Sequence, residues 1–250
     1  MRGGTLVLFR LALLAAVLLL WEALPRFGLV NAMLLPPLSD VLAALAHILG
    51  RADVHTALGV TAAEVVVAFV IAVPLGAALG VLSAENEYFG DIFKPMLFYV
   101  FSIPKSIFLP MFILVFGIGF PQKVAYATFS TVFIVIMSAA AAVESVKAEH
   151  LLVARSYGAT QAQILRRVYL PSMLPILLEA LRISMIFNFT GVMIAEMYAS
   201  RVGIGRLIAD WGENFEMTKL LAGVILLAAA AMAFNEAVRS LEARCSTWRA

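Results

Sequence analysis

Apolar residues run through this chain in long blocks, and the polar residues collect between the blocks. A helix needs about 20 apolar residues to cross a bilayer. About six segments reach that length, at 6–24, 57–82, 94–117, 123–143, 172–198 and 218–238. The third is interrupted by Pro104 and Pro110. The pattern predicts an all-α integral membrane protein, a single domain over residues 1–250 with about six transmembrane helices. The first block could be a signal peptide, but its apolar part is long and Glu22-Ala23-Leu24-Pro25 is a poor small-residue cleavage site. It reads as a retained span.

Residues 149–175 break the pattern as a polar, basic island between two long apolar segments. The island reads as two short helices. Gly158 after Tyr157 can take the left-handed conformation that closes a helix. Thr160 with Gln163 three residues later has the capping-box pattern that opens the next, and Leu170-Pro171 is expected to stop it. Leu151, Leu152, Ala154, Ile164, Leu165 and Val168 cannot all be buried by two short helices alone, so the surface is expected to be covered by a partner. A competing reading lays the island on lipid headgroups, with Arg155, Arg166 and Arg167 facing anionic lipid. Isolated helices this short are marginal in water, and a protein groove orders them better.

Composition agrees with a membrane protein. Hydrophobic residues are 63% of the chain and charged residues 14%, with a mean hydropathy of +0.98. A soluble domain is nearer half apolar and a quarter charged. The net charge of +2 does not point to nucleic acid. A single cysteine, Cys245, excludes an internal disulfide and a Cys-rich metal site. Basic residues set the orientation. A cytoplasmic N-terminus puts Arg2, Arg10, Lys94, Lys147, Arg155, Arg166, Arg167, Arg239, Arg244 and Arg249 inside. It leaves Arg26, Arg51, Lys123, Arg201, Arg206 and Lys219 outside. Both termini, residues 85–91 and the island are then cytoplasmic, and the connections 25–55 and 199–217 lie outside.

The island resembles the cytoplasmic EAA loop of the membrane subunits of bacterial ABC importers. That loop has a glycine, nine residues, an aliphatic residue, one further residue, then Leu-Pro. Here Gly158 is followed by nine residues and then Val168, Tyr169, Leu170 and Pro171. The Glu-Ala-Ala positions hold Leu152, Val153 and Ala154, so the acidic residue is absent. Leu35-Pro36-Pro37-Leu38-Ser39-Asp40-Val41, Phe116-Gly117-Ile118-Gly119, Ala195-Glu196-Met197 and Gly203-Ile204-Gly205 resemble segments of the subfamily that imports nitrate, sulfonate, taurine and related compounds. The resemblance implies a type I ABC importer permease fold in a bacterial cytoplasmic (inner) membrane. It implies work as a homodimer with ATP-binding cassette ATPase subunits inside and a periplasmic or lipid-anchored solute-binding protein outside. Leu152, Ala154, Gly158, Ala159, Ile164, Val168, Leu170 and Pro171 would carry the ATPase coupling. ATP and Mg would sit in the ATPase, and this chain would hold no cofactor.

The residues themselves agree that energy comes from elsewhere. No Gly-Lys dipeptide occurs, so the phosphate loop that needs Gly-Lys-Ser/Thr is missing. No His-Glu-x-x-His or Gly-x-Ser-x-Gly occurs either, which disfavours a membrane enzyme. A channel or self-contained secondary transporter would not need the docking loop. Ser184, Asn188 and Gly191 recur at helical spacing on one face of the fifth span. They either line a translocation path or make interhelical contacts, and the path reading turns their face towards a second copy of the chain. Glu64 and Lys105 are further candidates within spans. Glu196 and Arg201 are candidates for an external gate.

Overall fold

The computed structural model describes residues 2–146 and 148–245. Lys147 and Arg249, counted above among the inside basic residues, lie outside the described residues. Five described helices are long and apolar enough to cross a membrane, and a bent pair brings the number to six. They are α1 (Arg2–Arg26), α3 (Ala52–Glu85), α6 (Phe120–Glu144), α9 (Leu170–Tyr198) and α11 (Met217–Cys245), with α4 (Glu87–Ser102) and α5 (Leu109–Phe116) as the bent pair. No strand occurs among the described residues.

The bend follows from two prolines. Pro104 disfavours the helical region for the residue before it, and Ile103 is extended at φ −80°, ψ 132°. One 3₁₀ turn, Lys105–Phe108, redirects the chain before Pro110 enters the first turn of α5, where its missing N–H has no consequence. The two halves meet at 90°.

The centre of the bundle is the packing of α6 between α3 and α9. Gly76 and Gly80 allow the first approach: a Cβ on Gly76 would come within 2.6 Å of the Val135 side chain, and one on Gly80 within 2.5 Å of the Ile136 carbonyl oxygen. α4 rests on α3, and α1 lies at the periphery with its leucines exposed to what would be lipid. α1 is tied down at one end. There the Glu22 carboxylate accepts from the Ser39 backbone N–H at 2.9 Å, and Trp21 Nε1–H donates to the Pro36 carbonyl at 3.1 Å.

Two further helices occupy segments expected only as external connections. α2 (Leu38–Leu49) buries Val41 and Ile48 against the core and packs on α11. α10 (Ile204–Glu213) buries Ile204, Ile208 and Trp211 and packs on α9, α11 and α3.

The island forms α7 (Ala148–Ser156) and α8 (Gln161–Ile164). Leu170-Pro171 does not stop the second helix. A π turn over Leu165–Tyr169 leads directly into α9, with Pro171 in the first turn of that helix. A proline clashes with the carbonyl four residues back and leaves it without a donor. Widening the preceding turn accommodates this without breaking the helix.

Candidate functional site

α9 separates two candidate regions, since it starts at the α8 end of the bundle and finishes at α10. Its 29 residues span roughly 44 Å at 1.5 Å each.

At the α7–α8 end, Gly158 sits at φ +72°. Its N–H donates to the Arg155 carbonyl at 3.0 Å, and the Ala159 N–H donates to the Ala154 carbonyl at 3.1 Å. This pair of bonds is the Schellman closure of α7. The reciprocal capping box follows. The Thr160 N–H donates to Gln163 Oε1 at 2.8 Å, and the Gln163 N–H donates to Thr160 Oγ1 at 3.3 Å. The turn therefore fixes the angle between α7 and α8 with two backbone bonds and the reciprocal Thr160–Gln163 box.

The apolar residues of this end divide into two sets. Leu151 and Val168 pack on Ala142, Val143, Val146 and Met173 of the same chain, and Ile164 is 2% exposed. Leu152 and Tyr157 are 66% and 88% exposed, beside the exposed Val153, Arg155, Arg166 and Arg167. Ala154, Ala159 and Pro171 are half-buried and Leu170 is exposed. Only the second set remains for a partner. Burial and the adjacent Glu85 carboxylate push the Tyr169 phenol above its ordinary range.

The polar face of the fifth span is packed inside this chain. Asn188 is fully buried: its amide donates to the Val65 carbonyl at 2.7 Å, and Thr131 Oγ1 lies 3.3 Å from its Oδ1. Ser184 is also buried and donates to the Leu181 carbonyl at 2.9 Å. Asn188 thus joins α3, α6 and α9, and this face does not meet a second copy as expected. Gly191 lies against Ala127 and Ser130 of α6 and also borders a cavity. The uncovered face of α9 carries Ile183, Ile186 and Thr190 instead. Asn188→Val is expected to lower the stability of the detergent-solubilised chain by about 0.6–2 kcal/mol, the range of interhelical polar bonds. Thermal or denaturant unfolding checks this, and an unchanged midpoint would remove the amide from the account.

At the α10 end, three charged side chains converge below the surface. Glu64 of α3, Lys123 of α6 and Glu196 of α9 are all buried. Lys123 pairs with Glu64 and donates to Ser200 Oγ and to the Val202 carbonyl, each at 3.0 Å. Glu196 accepts from Thr61 Oγ1 and from the Gly205 N–H, each at 2.7 Å. The Ile204 N–H in turn donates to Thr61 Oγ1 at 3.0 Å. The Glu196 carboxylate therefore lies at the N-terminus of α10, where exposed N–H groups and the helix dipole favour an anion. Gly203, at φ +146°, makes room for it: a Cβ there would collide with the Glu196 carboxylate. Glu196 is thus part of an internal latch and does not face the mouth of the bundle. Arg201 is exposed on the turn that the latch holds.

Residues 72–246 match the family described as binding-protein-dependent transport system inner membrane component. The chain belongs to that family. The permease is similar to the taurine transport system permease protein TauC of Escherichia coli, 29% identical over 240 residues covering 94% of this chain and 87% of that protein. It is 25% identical to the putative aliphatic sulfonates transport permease protein SsuC of Bacillus subtilis, over 96% of this chain and 87% of the relative. The MetNI methionine ABC transporter in an inward facing conformation shares the fold. Its TM-score is 0.56 at 24% identity, covering 75% of this chain and 94% of that one. The expected kinship with ABC importer permeases of the taurine and sulfonate kind is borne out, as is the all-α type I importer fold. The permease is a multi-pass membrane component of a transport system.

The latch went unread in the sequence, although a signal for it exists. Glu64 interrupts an apolar span and needs a partner. Lys123 stands at the start of one neighbouring span and Glu196 at the end of another. With alternating helix directions those two positions lie at one end of the bundle, near the level of Glu64. Thr61 gave no signal, because a hydroxyl in a helix usually bonds its own backbone, and Ser200 stands in the turn after α9.

Proposed function

We propose that the permease forms half of a two-copy pathway that imports a small anion, of the sulfonate, taurine or nitrate kind, driven by a separate ATPase. Relatives named for taurine, aliphatic sulfonates and nitrate support the substrate class. The observation that carries the reading is the Gly158 turn. It stands at the family's spacing and presents Leu152, Val153 and Tyr157 with Arg155, Arg166 and Arg167 on the elbow between α7 and α8. An exposed apolar patch on an elbow that also carries exposed arginines suits a groove in an ATPase, which would hold the ATP and Mg while this chain binds neither. The N-terminus, C-terminus and elbow are cytoplasmic in this reading, and α10 faces the solute-binding protein. Arg201 is an exposed cation on that side.

The π turn gives the coupling its route. No loop separates α8 from α9, so a pull on the elbow by a closing ATPase pair acts on α9 directly. The uncovered Ile183, Ile186 and Thr190 face is then the part of the fifth span that looks onto the pathway. Ser184 and Asn188 act behind it as packing. Thiol labelling of intact cells tests the orientation. In a Cys245→Ala background, Asn214→Cys is expected to react with an impermeant reagent and Tyr157→Cys to stay unreacted until the membrane is opened. The reverse pattern would put the elbow outside and sink the ATPase docking with it.

A further inference from the structure

We infer that the cavity of about 240 Å³ between the Lys105–Phe108 turn, α6 and α9 is a binding site for a small oxyanion, with the Lys105 ammonium and the Ser106 hydroxyl as its anchors. This rests on the reading that the permease carries a small anion, and it assigns part of the recognition to the permease itself. The broken span is what delivers the lysine. By ending α4 at Ser102, Pro104 turns the chain so that Lys105 and Ser106 border the cavity from within a membrane-crossing pair.

The charge of Lys105 is unmatched. Its ammonium donates to the Phe101 carbonyl at 3.0 Å and lies 4.1 Å from the centroid of the Phe101 ring. That accounts for one of its three N–H groups. No carboxylate pairs with it among the described residues, whereas Lys123 at the α10 end is matched by Glu64. A cation left without a counter-ion inside a membrane protein marks an ion path.

The hydroxyls around it differ in what they have free. Ser130 and Thr190 donate to carbonyls one turn back, at 2.9 Å on Tyr126 and 2.8 Å on Ile186. The Ser106 hydroxyl bonds no described residue, so its proton is available. Ile186, Phe187 and Ile194 complete the wall with apolar surface, which suits a short carbon chain carrying one anionic head. The volume lies below the roughly 300–1,000 Å³ of drug-sized pockets, so the occupant is small. Ser106, Ile186 and Thr190 are exposed, so the mouth opens on the uncovered face of α9, where the pathway is proposed to run.

Calorimetric titration of the purified full chain in lipid nanodiscs with sodium methanesulfonate, at constant ionic strength, tests the site. Saturable binding is expected, weakened about tenfold or more by Lys105→Gln and within about threefold of native for Lys105→Arg. Tetramethylammonium chloride is expected not to bind. Absence of saturable methanesulfonate binding by the native chain, or equal binding by Lys105→Gln, would overturn the site. A second measurement does not depend on the lysine variants. With Ser106→Cys in a Cys245→Ala background, a sulfonate-bearing methanethiosulfonate should react faster than its trimethylammonium counterpart, and methanesulfonate should slow both. Preference for the cationic reagent would overturn the proposal. Uptake by the assembled transporter separates the two levels. A neutral or cationic cargo with Lys105-dependent anion binding intact would sink the transport reading and leave the site standing. Anion uptake and binding both unchanged in Lys105→Gln would sink the site and leave the reading.

Discussion

Lys123→Met is expected to destabilise the permease by about 3–5 kcal/mol, the usual consequence of removing one partner from a buried ion pair. The native arrangement sets one ammonium against Glu64 and the neighbouring Glu196 carboxyl. Methionine fills similar space but leaves two buried acids without a cation, and it withdraws the donor to Ser200 and Val202. The α9–α10 turn then loses its tie to α6. Thermal unfolding in detergent reads the loss. The double variant Lys123→Met, Glu64→Leu should recover most of it, because a well-packed apolar pair replaces a buried ion pair at little cost. Glu196 keeps its bonds from Thr61 and Gly205 in that variant. A double variant no more stable than the single would show that Lys123 matters through the turn alone and not through Glu64.

The same latch shows where the sequence could be read and where it could not. The long apolar blocks were legible because the bilayer fixes a length that few other constraints imitate. All six crossings, including the proline-broken third, follow from that rule. The 25–55 and 199–217 segments were read as connections because neither holds an unbroken apolar run of that length. Yet Ile204, Leu207, Ile208 and Trp211 recur at helical spacing, and so do Val41, Leu45 and Ile48. α10 and α2 were therefore written in the pattern. They answer to packing against neighbouring helices, and the span-length rule does not detect that.

The fifth span failed for a different reason. Spacing shows that Ser184, Asn188 and Gly191 share a face. It does not show which neighbour covers that face, and here the small residues of α3 and α6 let both helices close over it. Gly158 and the Thr160–Gln163 box were readable to the residue, since turn chemistry is local. The π turn was not. A proline near a helix start fits both a break and a widened turn, and the choice is made by how α9 packs.

Gly158→Val is expected to leave the bundle folded and inserted while abolishing uptake. Nothing lies within 4 Å of the place a Cβ would occupy, so the substitution meets no obstacle in space. The obstacle is the backbone: φ +72° is strained for a β-branched residue, by roughly 1–3 kcal/mol. The turn is exposed, and the segment is joined to the core through residues such as Leu151, Ile164 and Val168. Strain there is relieved by opening the turn, not by unfolding the spans. Opening it breaks the Gly158-to-Arg155 and Ala159-to-Ala154 bonds and swings Leu152, Val153 and Tyr157 away from their fixed angle to α8. An ATPase that grips that patch then pulls on a slack hinge, and its stroke no longer reaches α9. Thermal midpoint and membrane yield should match the native chain, while co-purification with the ATPase weakens and transport-coupled ATP hydrolysis falls to background. Gly158→Asn should retain most coupling, because asparagine tolerates the left-handed region. Normal coupling in Gly158→Val would reduce the glycine to a spacer. Equal loss in both variants would mean that the partner touches position 158 itself and that the angle of the elbow is not what it reads.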